Sequence, residues 1–120
     1  MKEYLIISTS VDLVRAASDE IVFISSDGNY SSIVFTCGES RMVTMQLGQV
    51  ERLLAGQLTH SGVDFIRIGK SLIINRSYLS YINLTKQQLV LSDGRSTSHT
   101  LTASRDALRQ LKELIEKETK

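Results

Sequence analysis

Three basic residues, Arg67, Lys70 and Arg76, are interleaved with an apolar run in Phe65-Ile66-Arg67-Ile68-Gly69-Lys70-Ser71-Leu72-Ile73-Ile74-Asn75-Arg76. The apolar residues read as one or two buried strands, so the cations belong to the turn that joins them. A lysine ammonium at such a turn can donate to guanine O6 and N7 in the major groove, or equally to a phosphate. Bland solvated charge on a strand connection is the alternative reading of the same residues. Charge distribution bears on the choice. The net charge is only +1. Yet residues 1–64 hold four basic and eight acidic side chains, whereas residues 65–112 hold eight basic ones against only Asp93 and Asp106. Such asymmetry is a compositional mark of a polyanionic partner.

Other chemistries find little support. Cys37 is the one cysteine, so no internal disulfide framework and no multi-cysteine metal site can form. It stands at a turn before Gly38, with Glu39 disfavouring a thiolate, and reads as a partly buried inert thiol. His60 and His99 read as surface residues of a loop and a strand. No nucleophile elbow, phosphate-cradling loop or metal-binding histidine spacing accompanies them. The expectation is a non-enzymatic protein with no cofactor and no metal. No apolar run approaches the roughly 18–20 residues that span a bilayer, and Met1–Ile7 does not resemble a signal peptide. A reducing cytoplasm is the expected compartment.

The elements that must position these residues are mostly strands. Tyr4–Ser8 is a short apolar run, and Ile21–Ile24 is β-branched and aromatic. Ser25-Ser26-Asp27-Gly28-Asn29 is a cluster of turn formers, after which Tyr30–Thr36 returns as a strand. A second turn at Cys37–Ser40 leads to a strand over Arg41–Met45, giving a meander. Leu47, Val50, Leu53 and Leu54 lie on one helical face, with Gly56 as the helix stop. Further strands are expected at Phe65–Ile68, Leu72–Ile74, Leu79–Leu84 and Gln88–Ser92, with a return near Ser96–Leu101 after Asp93-Gly94. Ser104 can cap a last helix. Asp106 suits its N-terminal dipole, and Leu108, Leu111 and Ile115 line its apolar face. The composition of 120 residues, without proline or repeats, fits one mainly β domain with two short helices, at about 47–55 and 104–117.

In order and spacing, residues 21–111 resemble the LytTR DNA-binding domain family. Ile21–Tyr30 is similar to the family's opening strand and Gly-Asn-Tyr turn, and Leu47–Leu54 to its short helix. Phe65–Asn75 resembles its central pattern of Phe, Arg, a basic residue, Ser, two β-branched residues and Asn. Tyr78–Ile82 and Leu89–Gly94 continue the likeness. The resemblance implies an elongated arrangement of antiparallel hairpins and sheets whose loops, not a recognition helix, enter successive major grooves. It implies base contacts from Tyr30 with Asn29 beside it, from Lys70 and from Arg105. Arg67, Ser71, Arg76 and Arg109 are then the candidates for phosphate contacts. Asn29 is suited to adenine and Arg105 to a bidentate pair with guanine. Asp27, in the same turn, would repel phosphate unless it accepts from cytosine.

Neither a receiver nor a membrane segment is recognisable, so the chain reads as a stand-alone domain that regulates transcription. Double-stranded DNA is the expected partner, with two copies on paired sites because one small module buries a limited interface. The alternative is an interaction module that docks a regulatory protein through a helix or strand edge.

Overall fold

The computed structural model describes residues 2–119, which form ten strands and two α-helices in two compact units divided after Ser77. The first unit opens with a hairpin, β1 (Tyr4–Ser8) and β2 (Leu13–Ala17). Its other strands form a five-stranded antiparallel sheet: β3 (Ile21–Asp27), β4 (Tyr30–Phe35), β5 (Ser40–Val43), β6 (Phe65–Ile68) and β7 (Leu72–Asn75). Their spatial order is β5-β4-β3-β7-β6. Helix α1 (Leu47–Gln57) joins β5 to β6.

Side-chain alternation sets the layers. Leu5, Ile7, Val14 and Ala16 point inward from the first hairpin, Ile24, Ile33, Val43 and Ile73 from the sheet, and Leu47, Val50 and Leu54 from α1. These side chains form one buried cluster, with period two along the strands and three to four along the helix. The Gln57 amide closes the edge of β1. Its Oε1 accepts from Ile6 N at 2.7 Å and its Nε2 donates to Ile6 O at 2.9 Å, as a neighbouring strand would.

In the second unit, β8 (Leu79–Asn83), β9 (Gln88–Ser92) and β10 (Ser98–Thr102) form an antiparallel sheet with β9 central. Helix α2 (Arg105–Glu118) packs on β8. Leu89 and Leu91 of β9 are buried, as are Leu108 and Leu111 of α2. The Ser104 hydroxyl accepts from Ala107 N at 3.1 Å, the expected cap. Asp93 accepts from Arg95 N and Thr97 N in the β9–β10 turn, and these bonds hold its pKa below the ordinary value.

The mainly β architecture with two helices agrees with expectation, and five local details differ. Strand β2 is an addition: Leu13-Val14-Arg15-Ala16-Ala17 has a weak strand signal and is ordered by the core that Val14 and Ala16 complete. Strand β3 continues through Ser25–Asp27, paired with Ser32, Ser31 and Tyr30, so the turn shrinks to Gly28-Asn29. Helix α1 runs through Gly56, because buried Leu58 donates to Leu54 O at 3.0 Å and extends the helical pattern. Cys37 is exposed, not partly buried, in the turn between β4 and β5. His99 is half-buried on β10.

Glu3 anchors the segment that follows α1. Its carboxylate accepts from Thr59 N, His60 N and Ser61 N, and from the Thr59 and Ser61 hydroxyls. The Ser61 backbone and hydroxyl bonds lead in lowering its pKa from 4.5 to about 2. A group depressed on folding stabilises fully above its unfolded pKa, and that contribution fades as pH falls through the folded value. Glu3→Gln is therefore expected to lower the urea midpoint relative to the wild type at pH 7, with the gap closing between pH 4.5 and about 2. A gap that stays constant over that range would assign the loss to packing.

Candidate nucleic-acid interface

Strand β3 brings two of the expected reading turns together. It pairs antiparallel with β4 through Asp27↔Tyr30 and with β7 through Ser25↔Leu72. The β3–β4 and β6–β7 turns therefore leave the same end of the five-stranded sheet. Ser26 N donates to Ser71 O at 2.8 Å and ties the second turn to β3 beyond the last ladder pair. Two strands lie between the turn centres, a separation of about 10 Å at ordinary strand spacing.

The β3–β4 loop consists of Gly28 and Asn29, with Gly28 at φ 66°. Glycine with positive φ at the first central position is the pattern of a type II′ hairpin turn. Asn29 is exposed at its tip, and Asn29 Oδ1 accepts from Gln46 Nε2 at 3.2 Å. Tyr30, 47 % exposed, lies on the sheet face opposite α1 beside Ser25, Ser32 and Met42. Asp27 is exposed opposite it in register.

The β6–β7 turn carries Lys70 and Ser71, both exposed, after Gly69 at φ 62°. No carboxylate pairs with Lys70 among the described residues, which leaves its ammonium available. Arg67 holds this turn from within. Its Nε donates to Gly69 O at 3.2 Å, its Nη2 to Lys70 O at 3.1 Å, and its Nη1 meets Glu51 of α1 at 2.9 Å. The guanidinium is spent on the protein, fixing the backbone of the turn that presents Lys70.

Arg76 lies just past β7, with its Nε 3.4 Å from Asp64. In the second unit, Arg105 occupies the first turn of α2 and its Nε donates to Leu84 O at 3.4 Å. Arg109 follows one turn later, exposed and 3.1 Å from Asp106.

The LytTr DNA-binding domain model matches residues 12–116, from just before β2 almost to the end of α2. The chain belongs to the LytTr DNA-binding domain family. Strand β1 precedes the matched LytTr region, although Leu5 and Ile7 are buried in its core. A solved LytTr DNA-binding domain from Bacillus cereus is 15% identical and superposes with a TM-score of 0.67. That match covers 96% of this chain and 98% of the other, and supports the LytTr fold. No curated protein matches the sequence.

Of the expected LytTr site residues, Asn29, Tyr30, Lys70 and Ser71 share one end of the first unit's sheet, and Arg105 and Arg109 share the first turns of α2. Gln46 and Glu51 were not anticipated. Gln49, three residues past Gln46 and inside an apolar helical run, is only the second half of a helix-start signature, whose first position is ordinarily Ser, Thr, Asp or Asn. The link from Gln46 to Asn29 depends on how β4 and β5 fold back, and no local pattern announces it.

Among the described residues no helix is long and apolar enough to cross a membrane, and no cluster of potential metal ligands is present.

Proposed function

We propose that this protein binds double-stranded DNA sequence-specifically through loops in the major groove and regulates transcription. The observation that carries the reading is the meeting of the Asn29–Tyr30 and Lys70 turns at one end of the sheet. Their spacing of about 10 Å suits a major groove about 12 Å wide. In this reading Lys70 donates to guanine, and Asn29 and Tyr30 contact neighbouring base edges. Arg105 is a further reader, carried by the second unit, where its fork suits guanine O6 and N7. Ser71, Arg76 and Arg109 bind phosphates, while Arg67 acts on the Lys70 turn. Two copies on paired sites extend the interface that one small module provides. Family membership and the basic second half support the reading. A cytoplasmic location follows from a DNA partner.

Selection from a random duplex library, followed by titration of the winner at two salt concentrations, tests the proposal. The expected result is an enriched motif whose log affinity falls with log salt by about 0.9 for each phosphate neutralised. No enrichment together with salt-insensitive behaviour would overturn it in favour of a module that docks a protein partner. Arg105→Ala is expected to relax selectivity at one base pair, losing about 1–3 kcal/mol of discrimination there. The matching measurement is titration against duplexes substituted at each position of the motif.

A further inference from the structure

Asn29 has an amide whose two ends do opposite things. Oδ1 accepts and Nδ2 donates, so the residue's preference among bases depends on which end faces the groove. In this protein one end is already engaged: Gln46 Nε2 donates to Asn29 Oδ1 at 3.2 Å. Among the described residues nothing engages Asn29 Nδ2.

Gln46 is itself held in place. It is the residue before α1, and its carbonyl accepts from Gln49 N at 3.0 Å and from Val50 N at 3.2 Å. Its own backbone N–H donates to Gln49 Oε1 at 3.2 Å. Val50 is buried, so the start of α1 is fixed to the core. In the capping box at the start of α1 the Gln46 side-chain oxygen faces the Gln49 backbone N–H, which leaves Nε2 as the end that meets Asn29.

We infer that Gln46 is a positioning residue that sets the hydrogen-bonding sense of Asn29 and presents it to DNA as a donor. The inference rests on the reading of the β3–β4 turn as a base-facing loop and narrows what that loop selects. A donor matches guanine O6 and N7, thymine O4 and adenine N7. It does not match the amino group with which cytosine meets the major groove. The expected rule is discrimination against cytosine on the strand that Asn29 faces, on the order of tenfold for one oriented polar contact.

Gln46→Glu separates this role from a merely structural one. A carboxylate at that place accepts only, so Asn29 turns its Nδ2 inward and its Oδ1 outward. The added negative charge also lowers affinity for any duplex, so the readout is the order of bases and not the affinity. The wild type, Gln46→Glu, Gln46→Leu and Asn29→Ala are each put through selection from the same random duplex library. Each is then titrated against four duplexes that differ at the position whose preference Asn29→Ala erases. The expected order for the wild type places cytosine last, whereas Gln46→Glu moves cytosine to the top or level with adenine. Gln46→Leu neither donates nor accepts, and should flatten the preference several-fold without inverting it. An unchanged base order in Gln46→Glu, or unchanged preferences at every position in Asn29→Ala, would overturn the inference while leaving DNA reading intact. A wild type that enriches no motif would overturn the reading on which it rests.

Discussion

Arg67→Ala is expected to weaken binding to the selected duplex by about tenfold, although the guanidinium is spent inside the protein. Arg67 grips two successive carbonyls, Gly69 O and Lys70 O, and ion-pairs with Glu51 on α1. Without that fork the turn keeps its ladder pairs and the Ser26–Ser71 bond, and loses what fixes its tip. Under the proposed reading Lys70 then samples many positions before it reaches a base, and ordering it at the moment of binding costs affinity. Lys70→Ala removes the proposed base contact itself, with an expected loss of about 1–3 kcal/mol in specific binding and a smaller loss on random DNA. If Arg67 acts through Lys70, the two losses do not add. In a Lys70→Ala background, Arg67→Ala should change specific binding about twofold or less, so a double-mutant cycle shows coupling of about 1 kcal/mol. Additive losses, with the log–log salt slope reduced by about one for Arg67→Ala, would return Arg67 to the phosphate contact that its residue type suggests. Arg67→Lys distinguishes charge from shape. It keeps the cation and the pairing with Glu51, but a single ammonium lacks the planar fork that spans two carbonyls. Its binding loss should approach that of alanine. In stability, Arg67→Ala should cost about 1–2 kcal/mol, since the guanidinium is partly exposed and its ion pair is screened.

The role of Arg67 shows where sequence reading succeeds and where it stops. The β3–β4 hairpin and the strands around Lys70 were legible because their signals are local. An Asp-Gly step, alternating β-branched residues and a turn glycine each bias the backbone over a few positions. Helix α2 was legible for the same reason, since its serine cap and its Leu108–Leu111–Ile115 stripe lie within a few turns. Strand β2 was not. Ala16 and Ala17 carry weak strand preference, and the segment becomes a strand because Ala16 faces the core and pairs with Leu5. Exposure of Cys37 depends on what the assembled fold packs against its turn, and residue types do not encode that. The bonds that organise the candidate site join positions distant in sequence: Ser26 to Ser71, Asn29 to Gln46, Glu51 to Arg67. The first exists because β3 lies beside β7, the second because β4 and β5 fold back, and the third because α1 meets β6, and these neighbour relations belong to the assembled fold. The residue types at the site could be named from the sequence. Whether a given arginine faces a ligand or its own backbone could not.

Asn75 should show the largest effect on stability, with Asn75→Leu expected to destabilise by about 3 kcal/mol. The side chain is 3 % exposed at the end of β7. Its Nδ2 donates to Ile21 O at 2.9 Å and to Ser18 O at 3.4 Å, and its Oδ1 accepts from Ser77 N at 3.0 Å. It therefore satisfies the backbone where β3 begins and where β7 ends, next to buried Ile21 and Ser18. Leucine fills a similar volume but takes from Ile21 O and the Ser77 N–H the partner Asn75 gave them, at roughly 1–3 kcal/mol for each group kept from water, whereas Ser18 O still accepts from Ile21 N. Asn75→Asp sharpens the argument, because it keeps the shape and replaces two donor hydrogens with an oxygen. An aspartate facing two carbonyl oxygens in a dry site is disfavoured as the anion, so its pKa rises on folding. The sign of the pH dependence follows. A carboxyl whose folded pKa lies above its unfolded value binds more protons in the folded state, so stability is greatest below the unfolded value of about 3.9 and falls as pH rises. The neutral acid still has one O–H to give to Ile21 O. Relative to the wild type, the Asn75→Asp urea midpoint should therefore be lower at pH 7 than at pH 4. A pH-independent difference would mean that the site admits water to the carboxylate, and that Asn75 is held there by volume and not by its donors.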